Sequence, residues 1–431
     1  MAGRPDTALS IAEQSAVDVA RQSYGRLLAY LAYRWRNIAA AEDALAEAFA
    51  SALESWPKNG VPDSPQAWLM TAAKRNLLQM HRHLGVTQDP SVTLLLGQGL
   101  DGEEAAAPDT ALIPDDRLKL LFVCAHPAID AAVRTPLMLQ TVLGLDAKRI
   151  ASAFLVSPTA MAQRLVRAKT KISQAGIRFE EPEASELPER THAVLEAIYA
   201  AYGLGWEGQG NGLDNAADAA SGLAASGELS AEAIFLAELT VRLLPDSAEA
   251  TGLLALLLLC ESRRPARYTL KGDFVPLQLQ DCSLWNKQSI QRADQMLWIA
   301  SGKRQPGPFQ LEAAIQAAHC HRLFTGTVPW RGIAQLYEQL VHLAPTTGAL
   351  VSRAVAMGEA INAAEGLAAL EKLPEDMVIA YQPFWVAKAY LQAKTGQNLA
   401  AQASYQHALG LTAQPALRTY LQLQIQLLLN K

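Results

Sequence analysis

The stretch GLDAKRIASAFLVSPTAMAQRLVRAKTK (residues 144–171) decides the fold class of the region around it. Its first half predicts a short helix from Ala147 to Leu155, and Val156-Ser157 predicts a turn. Pro158 fits the first position of a second helix, because the N–H that proline lacks is not needed there. Two short helices joined by a tight turn, the second of them basic, are typical of a helix-turn-helix. Helical proteins that do not bind DNA also contain such pairs, so a structural role is the alternative.

Charge sets this region apart from the rest of the chain. The 431 residues carry a formal net charge of −5, and residues 1–90 are neutral, with nine basic and nine acidic residues. Residues 131–178 hold eight basic residues against one acid, whereas residues 91–116 hold six acids and no Lys or Arg. A compact basic island in an acidic chain is expected where phosphates are bound. A solvated helix face is the alternative, and the overlap with the helix-turn-helix pattern favours the phosphate interpretation.

The composition favours an all-α protein. Half of the residues are hydrophobic, aromatic residues make up only 6%, and charged residues make up 18%. Runs of β-branched residues are scarce, which argues against a β-sandwich or a barrel. The length suggests about three domains. Four well-separated cysteines without a CxxC pair argue against a zinc ribbon and a disulfide scaffold.

The N-terminal region predicts helices with one interruption. Apolar residues recur at helical spacing from Ile11 to about Trp56, and residues 56–63, with two prolines and a glycine, predict the end of that stretch. Ser64 as N-cap and Pro65 at the first helical position predict a new helix to about His83. Residues 85–114 are rich in Gly, Pro and acids and predict a linker.

From about Pro188 to Lys431 the sequence predicts helix pairs with a period of about 34 residues. The clearest unit fits tetratricopeptide spacing, although Ala413 stands where a closing proline is expected. Its defining residues are Trp385, Ala389, Gly396, Ala401, Tyr405 and Ala408. We therefore predict a stack of helix hairpins, each burying small residues against the next, interrupted by the proline-containing segment 263–285. This half of the chain predicts a scaffold rather than a catalytic centre.

Motifs for catalysis, metals and membranes are weak throughout the chain. Residues 203–208 form a GxGxxG, but they follow a helical pattern instead of a strand, which argues against a dinucleotide site. The sequence contains no GxxxxGK[ST], HExxH or GxSxG, and its histidines are scattered. We expect no enzymatic activity, no metal and no cofactor. Without a secretory leader or an apolar run of about 20 residues, we expect a cytoplasmic protein with no membrane contact.

The order and the amino-acid sequences of these regions resemble those of extracytoplasmic-function RNA polymerase sigma factors. Residues 24–83 resemble the sigma-2 domain, and residues 114–177 resemble the sigma-4 domain. The third region resembles the TPR-like extension of one group of these factors, numbered forty-two. The matching segments are LLALLLLCESRRPAR, which ends at Arg267, QDCSLW (280–285) and GPFQLEAAIQAAH (307–319).

The resemblance implies a sigma-2 domain in residues 1–86, an acidic flexible linker in 87–113, a sigma-4 helix-turn-helix domain in 114–179 and a C-terminal extension in 187–431. It implies an alternative sigma factor that binds core RNA polymerase and directs transcription from specific promoters, with its activity modulated by the extension. The extension would have a protein or ligand partner of its own. The alternative is a TPR-type protein-interaction scaffold with a degenerate DNA-binding head.

The resemblance also assigns roles to individual residues. Three acids match the segment that docks on the clamp helices of the polymerase, although a solvated acidic face would look the same: Glu42, Asp43 and Glu47. Seven residues match the element that captures the −10 strand: Lys58, Asn59, Asp63, Lys74, Arg75, Asn76 and Arg82. Seven match the −35 reader, with Gln163 and Arg167 expected at base edges and the basic residues on phosphates: Arg149, Thr159, Gln163, Arg164, Arg167, Lys169 and Lys171.

Overall fold

The computed structural model describes residues 11–83, 115–154, 156–174, 185–207 and 216–429. Within these ranges the regular structure is helical, and the only bridge between extended segments is the isolated pair Tyr268 and Phe274. The predicted all-α class is therefore confirmed. The predicted acidic linker in residues 87–113 lies outside the described residues. The chain divides into two compact units, residues 1–201 and 202–431, each described by itself.

Within its described residues, the first unit contains seven helices and the beginning of an eighth. They are α1 (Ile11–Trp35), α2 (Ile38–Asn59), α3 (Pro65–His83), α4 (Asp116–Cys124), α5 (Ala131–Thr141), α6 (Ala147–Ala153), α7 (Pro158–Gln174) and α8 (Leu187–Glu207). Helices α1, α2 and α3 pack on one another around fully buried leucines such as Leu28, Leu45 and Leu69. Helix α4 packs against α1, and every residue from Arg117 to Cys124 is buried.

Helix α2 extends beyond its predicted end at Trp56. It continues through Pro57 to Asn59, where the N–H of Gly60 donates to the carbonyl oxygen of Trp56 at 3.0 Å. Pro57 lacks the N–H that would reach the carbonyl of Leu53, and its ring crowds that carbonyl; Leu53 lies on the exposed side of the helix, near the end of α2. Water can satisfy that carbonyl, so the proline does not end the helix. Helix α3 begins at Pro65 and ends at His83, as predicted.

Helices α6 and α7 lie where the sequence places two short helices. The N–H of Ala160 donates to Ser157 Oγ at 3.2 Å, so Ser157 caps the N-terminus of α7. Four apolar residues at helical spacing form the buried face of α7: Met161, Leu165, Ala168 and Ile172. This spacing leaves three basic residues of the helix, Arg164, Arg167 and Lys171, on the opposite, exposed face.

The second unit contains the remaining helices. After the last residues of α8 come α9 (Ala216–Leu243), α10 (Ala248–Ser262), α11 (Lys287–Gly302), α12 (Pro308–Cys320), α13 (Arg322–Thr325), α14 (Trp330–Leu343), α15 (Thr347–Ala360), α16 (Ala363–Glu371), α17 (Glu375–Val378), α18 (Gln382–Lys394), α19 (Asn398–Gly410) and α20 (Pro415–Leu429). Helix α10 is buried on all sides between α9, α11 and α12. Among the described residues, no helix combines the length and apolar character that a membrane crossing requires.

Helices α12 to α20 form successive hydrophobic clusters, and each cluster shares a helix with the next. The predicted unit around Trp385 is the hairpin of α18 and α19, and Ala389, Ala401 and Ala408 are fully buried in it. Gly396 occupies the turn with φ of +80°, a conformation that glycine adopts without strain. Residues 203–207 of the GxGxxG motif lie in α8, which confirms that no strand precedes it.

Candidate nucleic-acid and polymerase interface

The exposed face of α7 carries most of the residues assigned to the −35 contact. Gln163 and Arg167 are one helical turn apart and both exposed, so their side chains lie side by side on the surface. The other exposed members of this group are Thr159, Arg164 and Lys171 on α7 and Arg149 on α6. The opposite face is anchored in the core by Met161 and Leu165. This arrangement presents hydrogen-bonding and cationic groups together from a fixed helix.

Lys169 differs from these residues because it is not on the exposed face. Its Nζ donates to both carboxylate oxygens of Glu42, at 2.7 and 2.5 Å. The side chains of Lys169 and Glu42 are only 12% and 19% exposed. Burial raises the pKa of Glu42, and the ammonium of Lys169 offsets part of this increase. The structure thus pairs one predicted DNA-binding residue with one predicted polymerase-binding residue.

The other two carboxylates of the predicted polymerase contact are accessible. Asp43 and Glu47 are exposed on α2, one helical turn apart. They face solvent next to buried Ala44 and Ala48, which fix the helix on the core. Two accessible carboxylates on a rigid helix can attract and orient a basic surface of a partner through complementary charge.

The residues assigned to the −10 contact fall into two groups. Lys58, Asn59 and Asp63 are exposed at or beside the connection between α2 and α3, and Arg75 is exposed on α3. Asn76 instead donates from Nδ2 to the carbonyl of Ala44 at 3.1 Å, so it ties α3 to α2. Lys74 is half-buried, with its Nζ 5.1 Å from the ring centroid of Tyr30. The side chain of Arg82 lies outside the described residues.

A tryptophan pair lies at the base of this connection. The rings of Trp56 and Trp68 meet edge to face, with centroids 5.6 Å apart. Trp56 is buried and Trp68 is half-buried, so both rings pack inside the first unit. No role for Trp56 is predicted from the sequence above, although a large aromatic residue directly before Pro57, near the end of a predicted helix, indicates a packing residue at that end. The pair gives the loop between α2 and α3 a rigid apolar floor.

A close contact between α1 and the end of α5 has no signal in the local sequence. A Cβ at Gly25 would overlap the carbonyl of Val142, and a Cβ at Gly144 would lie 2.9 Å from Tyr24 Cδ1. Burial raises the pKa of Tyr24 to about 12, with the charges of Glu42 and Asp43 adding to the shift. Helix α1 and the segment 142–144 therefore approach so closely that a side chain at Gly25 or Gly144 would not fit without a shift.

Comparison with known proteins gives two family matches and one relative along the whole chain. Residues 21–86 match the family described as Sigma-70 region 2, and residues 190–301 match a family of unknown function, DUF6596. An uncharacterized protein of Rhizobium meliloti (strain 1021) is 36% identical over 408 residues, which cover 94% of this chain and 92% of the relative.

In the described ranges, no group of three or more His, Cys, Asp or Glu side chains is arranged to hold a metal ion.

Proposed function

The chain belongs to the sigma-70 proteins of the extracytoplasmic-function type with a C-terminal extension, and we propose that it is an alternative sigma factor that selects promoters for core RNA polymerase. The match of residues 21–86 to Sigma-70 region 2 carries this proposal, because that region binds core polymerase. Sigma-70 proteins act in transcription initiation and are not enzymes. The catalytic step of transcription therefore belongs to the polymerase.

For the −35 element, we assign base recognition to Gln163 and Arg167. Their shared exposed face on α7 supports this assignment, since Arg and Gln form bidentate contacts with base edges in the major groove. Arg164 and Lys171 flank them and would bind phosphates, which positions the helix without reading sequence. Arg149 and Thr159 would contact the backbone from the turn side of the same face.

For the −10 element, we assign strand capture to the loop between α2 and α3. Lys58, Asn59 and Asp63 are exposed there, and Arg75 supplies a cation on the adjoining helix. Opening a duplex requires a place for an unstacked base and cations along the backbone. The contacts of Lys74 with Tyr30 and of Asn76 with Ala44 support a positioning role for these two residues.

For the C-terminal extension, we propose that it modulates the activity of the sigma domains. Its successive helix hairpins are an architecture that other proteins use to bind partners along an extended surface. We keep the four-region division proposed from the sequence with one addition. The compact first unit reaches Ala201, so residues 187–201, the larger part of α8, pack with the sigma domains. Arg190 of α8, for example, is buried and donates to the carbonyl of Phe122 at 3.4 Å.

Reconstituted transcription tests the proposal. Transcription starts mapped after overexpression of the chain would supply a candidate promoter, and the purified full chain would then be added to core polymerase on that DNA. We expect specific initiation at the mapped start. The variant Asp43→Lys/Glu47→Lys should lower affinity for core polymerase roughly tenfold through charge reversal, while Glu54→Lys, exposed on the same helix, serves as the matched control. A chain that neither binds polymerase nor initiates would support the scaffold alternative.

A further inference from the structure

A pocket in the second unit, between α11, α12 and the turn that joins them, has no part in the roles proposed so far. Its volume is about 430 Å³, which is in the range of sites for small molecules. Both helices and the turn contribute to its apolar lining, which consists of Leu297, Trp298, Pro306, Leu311 and Ala314. The pocket can therefore hold the apolar part of a small molecule.

An indole and a guanidinium at this pocket are open to contacts from outside the chain. Trp298 is 79% exposed, which is unusual for so large an apolar side chain. Arg304 also lines the pocket and is exposed, and among the described residues its guanidinium has no carboxylate partner. An indole can stack against a planar apolar group, and a guanidinium can donate two parallel hydrogen bonds to a carboxylate. Together the two side chains suit a molecule that is both apolar and anionic.

The backbone of Arg304 adopts a conformation that is usually left to glycine. Its φ is +54°, and it directly follows Lys303, the C-terminal cap of α11. A residue with positive φ after a helix is most often glycine, because a Cβ is strained there. Backbone strain of this kind is concentrated at functional sites. An arginine at this position therefore supports a role for its guanidinium that the turn itself does not require.

A hydrogen-bond network holds the turn and the beginning of α12 in place. The carboxylate of Glu249 on α10 accepts from the backbone N–H groups of Phe309 and Gln310, at 3.1 and 3.2 Å. The buried side chain of Gln310 donates from Nε2 to Glu249 Oε1 at 3.0 Å and to the carbonyl of Gln305 at 2.6 Å. A Cβ at Gly307 would overlap the carboxylate of Glu249, so the turn needs glycine there. The wall of the pocket is thus already ordered, which lowers the entropic cost of binding a ligand.

We propose that this pocket binds a small aromatic carboxylate. The ring system would lie against Leu297, Leu311 and the indole of Trp298, and the carboxylate would accept from the guanidinium of Arg304. None of the described residues that line the pocket is acidic, so an anion meets no repulsion there. The inference does not depend on the proposed function, because neither polymerase nor DNA enters it.

Calorimetric titration of the full chain with two matched probes tests the proposal. The probes are 2-naphthoate and its neutral amide 2-naphthamide, which share one ring system and differ in charge. We expect 2-naphthoate to bind at one site per chain, roughly five- to tenfold more tightly than 2-naphthamide, because only the carboxylate forms a charge-assisted pair with Arg304. Equal affinities for the two probes, or no saturable binding of 2-naphthoate, would overturn the proposal.

Two variants assign the charge and the apolar contact to separate side chains. Arg304→Gln should weaken 2-naphthoate to about the affinity of 2-naphthamide and leave 2-naphthamide unchanged, with Arg331→Gln, exposed on α14, as its matched control. Trp298→Ala should weaken both probes, with Phe324→Ala, 53% exposed on α13, as its matched control.

A third variant fills the pocket and locates the binding. Ala314 is half-buried in the pocket wall, and Ala314→Phe should abolish binding of both probes, while far-UV circular dichroism checks that the helices are kept. Binding that persists in Ala314→Phe, or an equal loss in Arg304→Gln and Arg331→Gln, would place the probes elsewhere on the chain and overturn the site.

A glycine at position 304 distinguishes a ligand-binding arginine from one that stabilises the turn. Arg304→Gly should bind 2-naphthoate as weakly as Arg304→Gln, yet it should unfold at a higher denaturant concentration than the wild type, because glycine relieves the strain of a positive φ. Urea unfolding of the full chain, followed by circular dichroism, measures this shift. An unfolding midpoint at or below the wild-type value would show that the arginine side chain stabilises the turn, which would overturn its assignment to a ligand.

Discussion

The pairs α6–α7 and α18–α19 both consist of two helices joined by a short turn, yet they orient their side chains in opposite ways. Helix α7 buries one apolar stripe and presents Gln163, Arg167 and their basic neighbours to solvent. In the second pair, Ala389, Ala401 and Ala408 are fully buried between the helices and the following α20. The spacing of apolar residues in a helix pair thus predicts that the two helices will pack on each other. The residues on the exposed face indicate whether the pair can also bind a partner such as DNA.

The largest expected effect breaks the buried stripe of α7. Leu165 is 1% exposed, and Leu165→Ala should lower the free energy of unfolding of the first unit by about 2–5 kcal/mol through lost burial and a cavity. Its neighbour Val166 is 62% exposed, so Val166→Ala should change stability by less than about 0.5 kcal/mol. Denaturant unfolding followed by circular dichroism compares the two. Equal losses would contradict the assignment of faces on α7.

A change in the buried residues of the pair α18–α19 should lower the free energy of unfolding by a smaller amount, because it adds atoms to a filled core instead of removing them. Ala401 is fully buried between α18 and α19, and Ala401→Leu should cost about 1–3 kcal/mol of stability. Ala403 is exposed on the same helix, so Ala403→Leu is the matched control. Promoter affinity should stay the same in both variants, because neither residue lies on the basic face. A loss of DNA binding in Ala401→Leu with intact folding would show that the two pairs do not have separate roles.

Local sequence predicts the helices and the exposed face of α7 well, since each depends on residues close together in the chain. Pro65 and Pro158 fix helix starts, and Ser157 supplies a cap. Contacts between distant segments have no such signal. Nothing near Glu42 indicates Lys169, which is 127 residues away. Pro57 also misleads, because the tolerance of a proline inside a helix depends on which side of the helix faces water.

The unit boundary is a further example of a tertiary effect. The sequence suggests that the extension begins at residue 187, and helix α8 does begin there. The first compact unit nevertheless reaches Ala201, because Val194, Leu195 and Ile198 of α8 are buried. An amphipathic helix shows its apolar residues in the sequence but not the unit against which they pack.

On the exposed face of α7, Arg167→Ala should weaken promoter binding by about 1–3 kcal/mol if Arg167 reads a base. The loss should be confined to the cognate −35 sequence, because a scrambled site offers no matching base edge. Electrophoretic or fluorescence titrations of holoenzyme on the matched and scrambled duplexes measure the difference. An equal loss on both duplexes would move Arg167 from base recognition to phosphate binding.

The smallest expected effect distinguishes the two kinds of contact within that same face. Lys171→Ala should weaken binding about equally on matched and scrambled DNA and should reduce the salt dependence of log K by about one counter-ion, as expected for one lost phosphate contact. Titrations at several salt concentrations give this slope for the wild type, for Lys171→Ala and for Arg167→Ala. Lys388→Ala on α18 is the control, since it removes a charge of the same kind from the second pair and should leave the slope unchanged. A smaller salt dependence of log K in Lys388→Ala would show that DNA also contacts the pair α18–α19. The two helix pairs would then no longer differ in whether they bind DNA.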